Sequence, residues 1–110
     1  MLRRRENYLP GTVTVDDLTL DKSNGELQCQ NRTIRLTGKA LQMMTFFMEN
    51  PRIVFSVQTL MDRIWGWEAE AEINVVWVNI STLRKKLQEL GTVMEIRAHR
   101  GTGYSLEKKA

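Results

Sequence analysis

Apolar and polar residues alternate over the first third of the chain. Three short runs place an apolar side chain at every second position: Leu18 and Leu20, Leu27 and Cys29, and Ile34 and Leu36. This two-residue period is typical of strands with one buried face. Asn24-Gly25 and Gln30-Asn31 separate the runs, as hairpin turns would. With residues 12–15 in front, the pattern predicts a four-stranded antiparallel sheet that has one apolar face.

The spacing of apolar residues then becomes helical. A helix is predicted over residues 38–50, with Thr37 as its N-cap and Pro51 just after its end. Ser56 is predicted to cap a second helix, which stops at Gly66. The apolar positions of this second helix follow the spacing of an amphipathic helix: Val57, Leu60, Met61 and Ile64.

A third helix is predicted over residues 72–90, and it has two unlike faces. At about 100° per residue, one broad apolar stripe collects Ile73, Val76, Trp77, Ile80, Leu83, Leu87 and Leu90. The opposite face is mostly short and polar, with two valines near its start and two lysines near its end: Asn74, Val75, Val78, Asn79, Ser81, Thr82, Lys85, Lys86 and Glu89. Residues 94–98 and 104–107 read as two strands of a hairpin. The order of sheet, three helices and hairpin predicts an α+β domain.

Length and composition narrow the class of protein. The 110 residues suit one domain, with residues 1–11 as a charged tail or linker and residues 12–110 as the folded unit. No apolar run approaches the roughly 20 residues that span a bilayer, and the first residues lack the apolar segment of a signal peptide. A cytoplasmic protein is therefore expected. The lone Cys29 and the single histidine predict neither a disulfide nor a metal site, and no cofactor is expected. The net charge of +3 permits an anionic partner.

The polar face of the third helix matches what the major groove of DNA displays. Asparagine bonds adenine edges, serine and threonine bond bases or phosphates, and small apolar groups touch thymine methyls. Lysines farther along such a helix reach phosphates. Arg100 sits at a turn with Gly101 and Gly103, where a long cation can project beyond the sheet. Inserted in a minor groove, it would meet the enhanced negative potential there; the alternative is a simple turn with a solvated arginine. The alternative is an ordinary surface, because single exposed valines such as Val75 and Val78 are common.

Three segments together resemble the OmpR/PhoB-type winged-helix DNA-binding (effector) domain of bacterial two-component response regulators. They are Trp65-Gly66, Ile80-Ser81-Thr82-Leu83-Arg84-Lys85-Lys86-Leu87 and Arg100-Gly101-Thr102-Gly103-Tyr104. The resemblance covers residues 12–107, and a four-stranded sheet ahead of the helices is a mark of this family among winged helices. It implies a winged helix-turn-helix fold whose recognition helix, residues 72–90, enters the major groove. The hairpin turn, residues 99–103, would then be the wing in the minor groove.

The resemblance also implies roles for individual residues. Those expected to contact DNA are Trp65, Asn74, Val75, Val78, Asn79, Ser81, Thr82, Arg84, Lys85, Arg100 and Tyr104. Trp65 and Tyr104 match positions that commonly touch phosphates, although either ring can equally serve as packing. Glu68 and Glu70 lie in the loop that contacts RNA polymerase in some family members.

The chain departs from the family pattern at Trp77, where many members have an acid. Without that acid Arg84 loses an expected ion-pair partner. Arg84 is therefore expected to turn to DNA, to another acid or to the Trp77 ring.

At the level of the whole protein, the resemblance implies an N-terminal receiver domain and a cognate histidine kinase, and the alternative is a winged-helix protein that naturally lacks a receiver. Phosphorylation would then lead to cooperative binding of tandem DNA half-sites, so that this domain is the output of a phosphorylation-controlled transcription regulator. No nucleophile–base set is recognisable in the sequence, and an enzyme is not expected. The alternative function is a winged-helix protein-interaction module without autonomous DNA binding.

Overall fold

A meander of four short strands opens the described part of the chain. The computed structural model describes residues 11–66, 72 and 74–109. The first sheet is antiparallel in the order β1-β2-β3-β4, and its strands are β1 (Thr12–Val15), β2 (Leu18–Asp21), β3 (Glu26–Cys29) and β4 (Arg32–Arg35). The sheet predicted from the alternating pattern is thus confirmed. Its inward side chains enter the core, where Leu18, Leu20, Leu27 and Cys29 are buried.

Two helices follow, and their caps differ from each other. Helix α1 spans Gly38–Glu49, with Thr37 at the N-cap position in an extended conformation but without the side-chain hydrogen bond expected of a cap. Helix α2 spans Val57–Leu60, and the Ser56 hydroxyl accepts the amide N–H of Thr59 at 3.1 Å, as predicted. Helix α2 continues directly into a π-helical segment, Met61–Trp65, which the periodicity did not predict.

The longest helix, α3, spans Asn74–Leu90 and packs one stripe into the core. The buried residues of this stripe are Val76, Ile80, Leu83, Leu87 and Leu90. The prediction that Trp77 belongs to the stripe is wrong, because 60% of this residue is exposed. Val75, expected on the far face, is instead half-buried against the core. Both residues lie about 100° from Val76, on opposite flanks of the helix, where tertiary packing decides which side is covered.

The C-terminal hairpin is held by a third, very short partner. Strands β5 (Met94–His99) and β6 (Gly103–Lys108) pair antiparallel, and Tyr104 of β6 also pairs with Phe55 from the connection between α1 and α2. The Phe55 N–H donates to the Tyr104 carbonyl at 2.8 Å, and the Tyr104 N–H donates to the Phe55 carbonyl at 2.9 Å. Phe55 therefore ties the hairpin to the helices.

Hydrogen bonds to Asp17, which lies between β1 and β2, join the first sheet to the segment after α3; these bonds are called the clasp below. Both Asp17 carboxylate oxygens accept hydrogen bonds, one from the Thr92 hydroxyl and the other from the Val93 N–H at 3.0 Å and the Cys29 thiol at 3.4 Å. Burial alone would raise the pKa of the Asp17 carboxyl, but these hydrogen bonds outweigh it and the pKa lies below its ordinary value of 3.8. Burial and the neighbouring Asp17 raise the pKa of the Cys29 thiol, which therefore stays protonated as a donor.

Candidate nucleic-acid interface

The solvent face of α3 gathers most of the short side chains that the sequence nominated. It lies opposite the buried stripe, within an arc of about 100°. The exposed members of this arc that were expected to contact DNA are Asn74, Val78, Ser81, Thr82 and Lys85. Glu89 is an acidic residue of this arc near the C-terminal end of the helix, so the first three turns present neutral and cationic side chains. A polyanion can approach this part of the helix without meeting a carboxylate on it.

Two other nominated residues lie on the flank of α3 rather than on its exposed face. Asn79 is half-buried, and its side-chain amide donates to the Val75 carbonyl at 2.8 Å. The amide is therefore engaged with the helix backbone, and reading a base would require that bond to be exchanged. Val75 itself packs partly against the core.

Arg84 connects the helix to the hairpin. Its Nε donates to the Ile96 carbonyl of β5 at 3.0 Å, and its guanidinium lies 5.8 Å from the centre of the Tyr104 ring. Of the partners expected for Arg84, the Trp77 ring is not the one in contact; Tyr104 takes that place. Arg84 and Tyr104, both half-buried, thus fix the orientation of the wing relative to α3.

The wing tip presents one cation to solvent. Arg100 is exposed in the turn between β5 and β6, and the turn is closed by the Thr102 N–H donating to the His99 carbonyl at 2.8 Å. Gly101, next to Arg100, has φ +73, a conformation that side chains other than glycine adopt at a cost. The turn therefore displays Arg100 clear of the sheet, as predicted.

Three polar side chains are linked by hydrogen bonds behind the wing tip, and the sequence analysis does not identify them. The buried Ser105 hydroxyl donates to a Glu107 carboxylate oxygen at 2.7 Å. Because a hydroxyl has one hydrogen, His99 must be the donor in the 2.7 Å contact between its Nε2 and the same hydroxyl oxygen. The only signal in the sequence is the alternation of Ser105 and Glu107 along a predicted strand, which carries no information about the partner strand.

Trp65, expected to contact a phosphate, takes no part in this surface. Trp65 is a core residue with 6% of its area exposed, and the Lys39 ammonium lies 5.9 Å from its ring centre. Its burial supports the packing role rather than the phosphate contact. Glu68 and Glu70, predicted to face RNA polymerase, lie outside the described residues.

The described side chains offer no metal-binding cluster of histidine, cysteine, aspartate or glutamate. Within the described ranges, no helix combines the length and the apolar character needed to cross a bilayer.

Sequence comparison finds relatives over nearly the whole chain. Residues 31–106 match a family described as "Transcriptional regulatory protein, C terminal". The chain is 33% identical over 107 residues to the heme response regulator HssR of Staphylococcus aureus (strain Newman), a match that covers 97% of this chain and 48% of HssR. The chain thus spans about half the length of the curated relatives it matches.

Solved structures share the fold. The DNA-binding domain of the response regulator AdeR, in complex with an intercistronic region, gives a TM-score of 0.75 at 25% identity, covering 86% of this chain and 98% of that one. The C-terminal domain of the nisin resistance regulator NsrR gives 0.75 at 26% identity, covering 89% and 99%. The DNA-binding domain of CadC from E. coli, at 24% identity and a TM-score of 0.77, covers 87% and 91% and supports the fold alone. The sheet, three helices and hairpin are those of a winged-helix domain with an N-terminal four-stranded sheet.

Proposed function

Since the chain belongs to the family of transcriptional regulatory protein C-terminal domains, we propose that it binds specific double-stranded DNA sequences with α3 in the major groove and the wing tip in the minor groove. The observation that carries this assignment is the exposed face of α3, which combines short polar side chains, one valine and one lysine. That mixture suits base edges, thymine methyls and phosphates. AdeR, a structural relative of the same fold, was solved in complex with an intercistronic region.

Each exposed residue has a role in this arrangement. Asn74, Ser81 and Thr82 contact base edges or nearby phosphates, and Val78 contacts a methyl group. Lys85 reaches the phosphate backbone. Arg84 and Tyr104 position the wing, because their contacts with each other and with β5 already engage them.

The curated relatives are about twice as long as this chain, which supports a full-length protein with a further domain. We propose that the full-length protein carries a receiver domain in front of residues 12–110 and answers to a histidine kinase. Receiver pairing would bring two copies onto tandem half-sites, where tethering raises the affinity of each weakly binding domain. Contact of Glu68 and Glu70 with RNA polymerase, and action in the cytoplasm, belong to the same proposal.

Replacing Lys85 with alanine is expected to weaken binding to all duplexes about fivefold, because a phosphate contact carries no sequence information. The slope of log affinity against log salt should fall by about 0.9, the value for one neutralised phosphate. Fluorescence anisotropy with labelled duplexes, titrated at several salt concentrations, measures both quantities. Lys108→Ala is the matched control, since Lys108 is an exposed lysine at the end of β6 opposite the wing tip.

Thr82→Ala tests sequence reading rather than overall affinity. Because Thr82 is proposed to contact base edges, selection from a random pool of duplexes should return a different preferred site for this variant. Equal affinities and equal salt slopes for the Lys85→Ala and Lys108→Ala proteins would contradict the contact between α3 and DNA. If the folded wild-type domain binds no duplex at any salt concentration, the protein-interaction module takes the place of DNA binding.

Arg100→Ala is expected to remove a preference for A·T-rich sequence beside the α3 site. Narrow A·T-rich minor grooves concentrate negative potential, and an inserted arginine is attracted to it. Comparing wild-type and variant affinities for sites with A·T-rich and G·C-rich flanks measures the effect, for which we expect about a fivefold difference in the wild type only. The same flank preference in both proteins would contradict a minor-groove role for Arg100.

A further inference from the structure

An exposed tryptophan lies beside the proposed DNA-reading face. Trp77 has 60% of its area exposed and its neighbour Val78 has 53%, the two highest values among the large hydrophobic residues of the described part of the chain. Both belong to the first two turns of α3. Trp77 and Val78 therefore leave apolar area beside the proposed DNA-reading face that the fold itself does not cover.

Trp77 is neither a core residue nor one of the partly buried hydrophobic residues packed against the core. The buried stripe of α3 is complete without it, from Val76 to Leu90. Arg84 follows Trp77 by seven residues, nearly two full turns, and so lies on the same flank. Arg84 turns to Ile96 and to the Tyr104 ring, at 3.0 Å and 5.8 Å.

Around the helix, Trp77 borders the exposed arc directly. In projection, Asn74 and Ser81 lie between Trp77 and Val78, and both are exposed and polar. Lys85 follows Ser81 one turn later on the same side. A protein partner would favour a contiguous cluster of apolar anchors on this face. An apolar pair interleaved with polar side chains and followed by a cation instead complements a polyanion whose groove floor carries isolated methyl groups.

We propose that the Trp77 indole packs against the C5-methyl group of a thymine in the major groove and is a sequence-determining residue of this domain. The inference rests on the proposed DNA binding by α3. Thymine is the only standard DNA base that presents a methyl group in the major groove, and apolar side chains distinguish it by covering that group. Trp77 thereby selects thymine at one position of the half-site.

A methyl-deletion cycle tests this assignment. In the sequence selected by the wild-type domain, each thymine is replaced in turn by deoxyuridine, which removes only the methyl group. At one thymine the wild type should lose affinity about threefold to fivefold, as expected for one buried methyl group. Trp77→Ala should bind the thymine and deoxyuridine duplexes equally at that position, and Trp77→Phe should keep part of the difference.

Two further variants guard the interpretation. Trp77→Gln replaces the ring with a helix-favouring polar side chain, and thermal unfolding shows that each variant is folded. Val93→Ala is the matched control, since Val93 is an apolar residue 40% exposed beyond the other end of α3, and it should retain the wild-type methyl response.

The possible results distinguish a failure of the Trp77 assignment from a failure of the proposed DNA binding. Sequence-specific binding in which every deoxyuridine substitution affects wild type and Trp77→Ala alike would overturn the role of Trp77 while leaving DNA binding intact. A selected half-site without thymine would do the same. Absence of sequence-specific binding by the folded wild type would remove the proposed function itself, and the role of Trp77 with it.

Discussion

Gly103→Ala is expected to destabilise the domain by about 3–5 kcal/mol, because the new side chain has no room and an unfavourable backbone. A Cβ atom at Gly103 would lie 2.0 Å from the Phe55 carbonyl oxygen and 2.8 Å from the Ser56 Cα. Both are backbone atoms, and Phe55 is held there by its two hydrogen bonds with Tyr104. Gly103 also has φ +152, which L side chains rarely adopt. Relief of the clash therefore requires the wing to separate from the Phe55 segment.

Gly101→Ala is the matched control for this change. Gly101 has φ +73 but no heavy atom within 4 Å of an added Cβ, so only the left-handed backbone conformation is penalised, by about 1–2 kcal/mol. Urea and thermal unfolding followed by circular dichroism measure both variants, and the Gly103→Ala domain should melt roughly 15 °C or more below the wild type. Similar losses for the two variants would show that contact with Phe55 does not constrain the wing.

Most elements of the fold are readable from short-range pattern. A two-residue period marks the sheet, and the apolar stripe of α3 predicts its buried residues from Val76 to Leu90. The pairing of Phe55 with Tyr104 is not readable in this way, because a single residue has no period. The π-helical segment Met61–Trp65 also escapes, since its apolar spacing is that of an ordinary helix until the Gly66 N–H bonds the Met61 carbonyl.

In the candidate site, too, some positions are predicted by the local pattern and others depend on tertiary packing. Residues opposite the stripe, such as Ser81 and Lys85, are assigned correctly to solvent by their helical angle alone. Val75 and Trp77 lie on the two flanks of the helix, where the helical angle does not determine whether a side chain is buried or exposed. The flank that the protein covers depends on where the distant hairpin and core residues pack. The sequence pattern therefore predicts a buried Trp77, which is exposed in the structure, and a surface-exposed Val75, which is half-buried.

Asp17→Asn is expected to destabilise the domain by about 2–3 kcal/mol at pH 7, through the clasp between the sheet and the segment after α3. Both carboxylate oxygens accept hydrogen bonds, from Thr92 on one side and from Val93 and Cys29 on the other. An asparagine has only one oxygen, so its NH2 group must face a donor on one side. A nearly isosteric change thus leaves at least one of these donors without its acceptor.

The effect of Asp17 has a defined pH dependence. Because the pKa of Asp17 is lower in the folded domain than its ordinary value of 3.8, the unfolded chain takes up this proton first as the pH falls. The contribution of the ionised clasp is complete above that value and is lost as the pH falls through the folded pKa, at up to about 1.4 kcal/mol per pH unit. Urea unfolding from pH 7 to pH 3 should therefore show the wild type and Asp17→Asn converging in acid. Asp16→Asn, at the exposed neighbouring position, makes the same charge change and should keep the wild-type pH profile. Equal stability of the Asp16→Asn and Asp17→Asn domains at pH 7 would show that the clasp contributes nothing to folding.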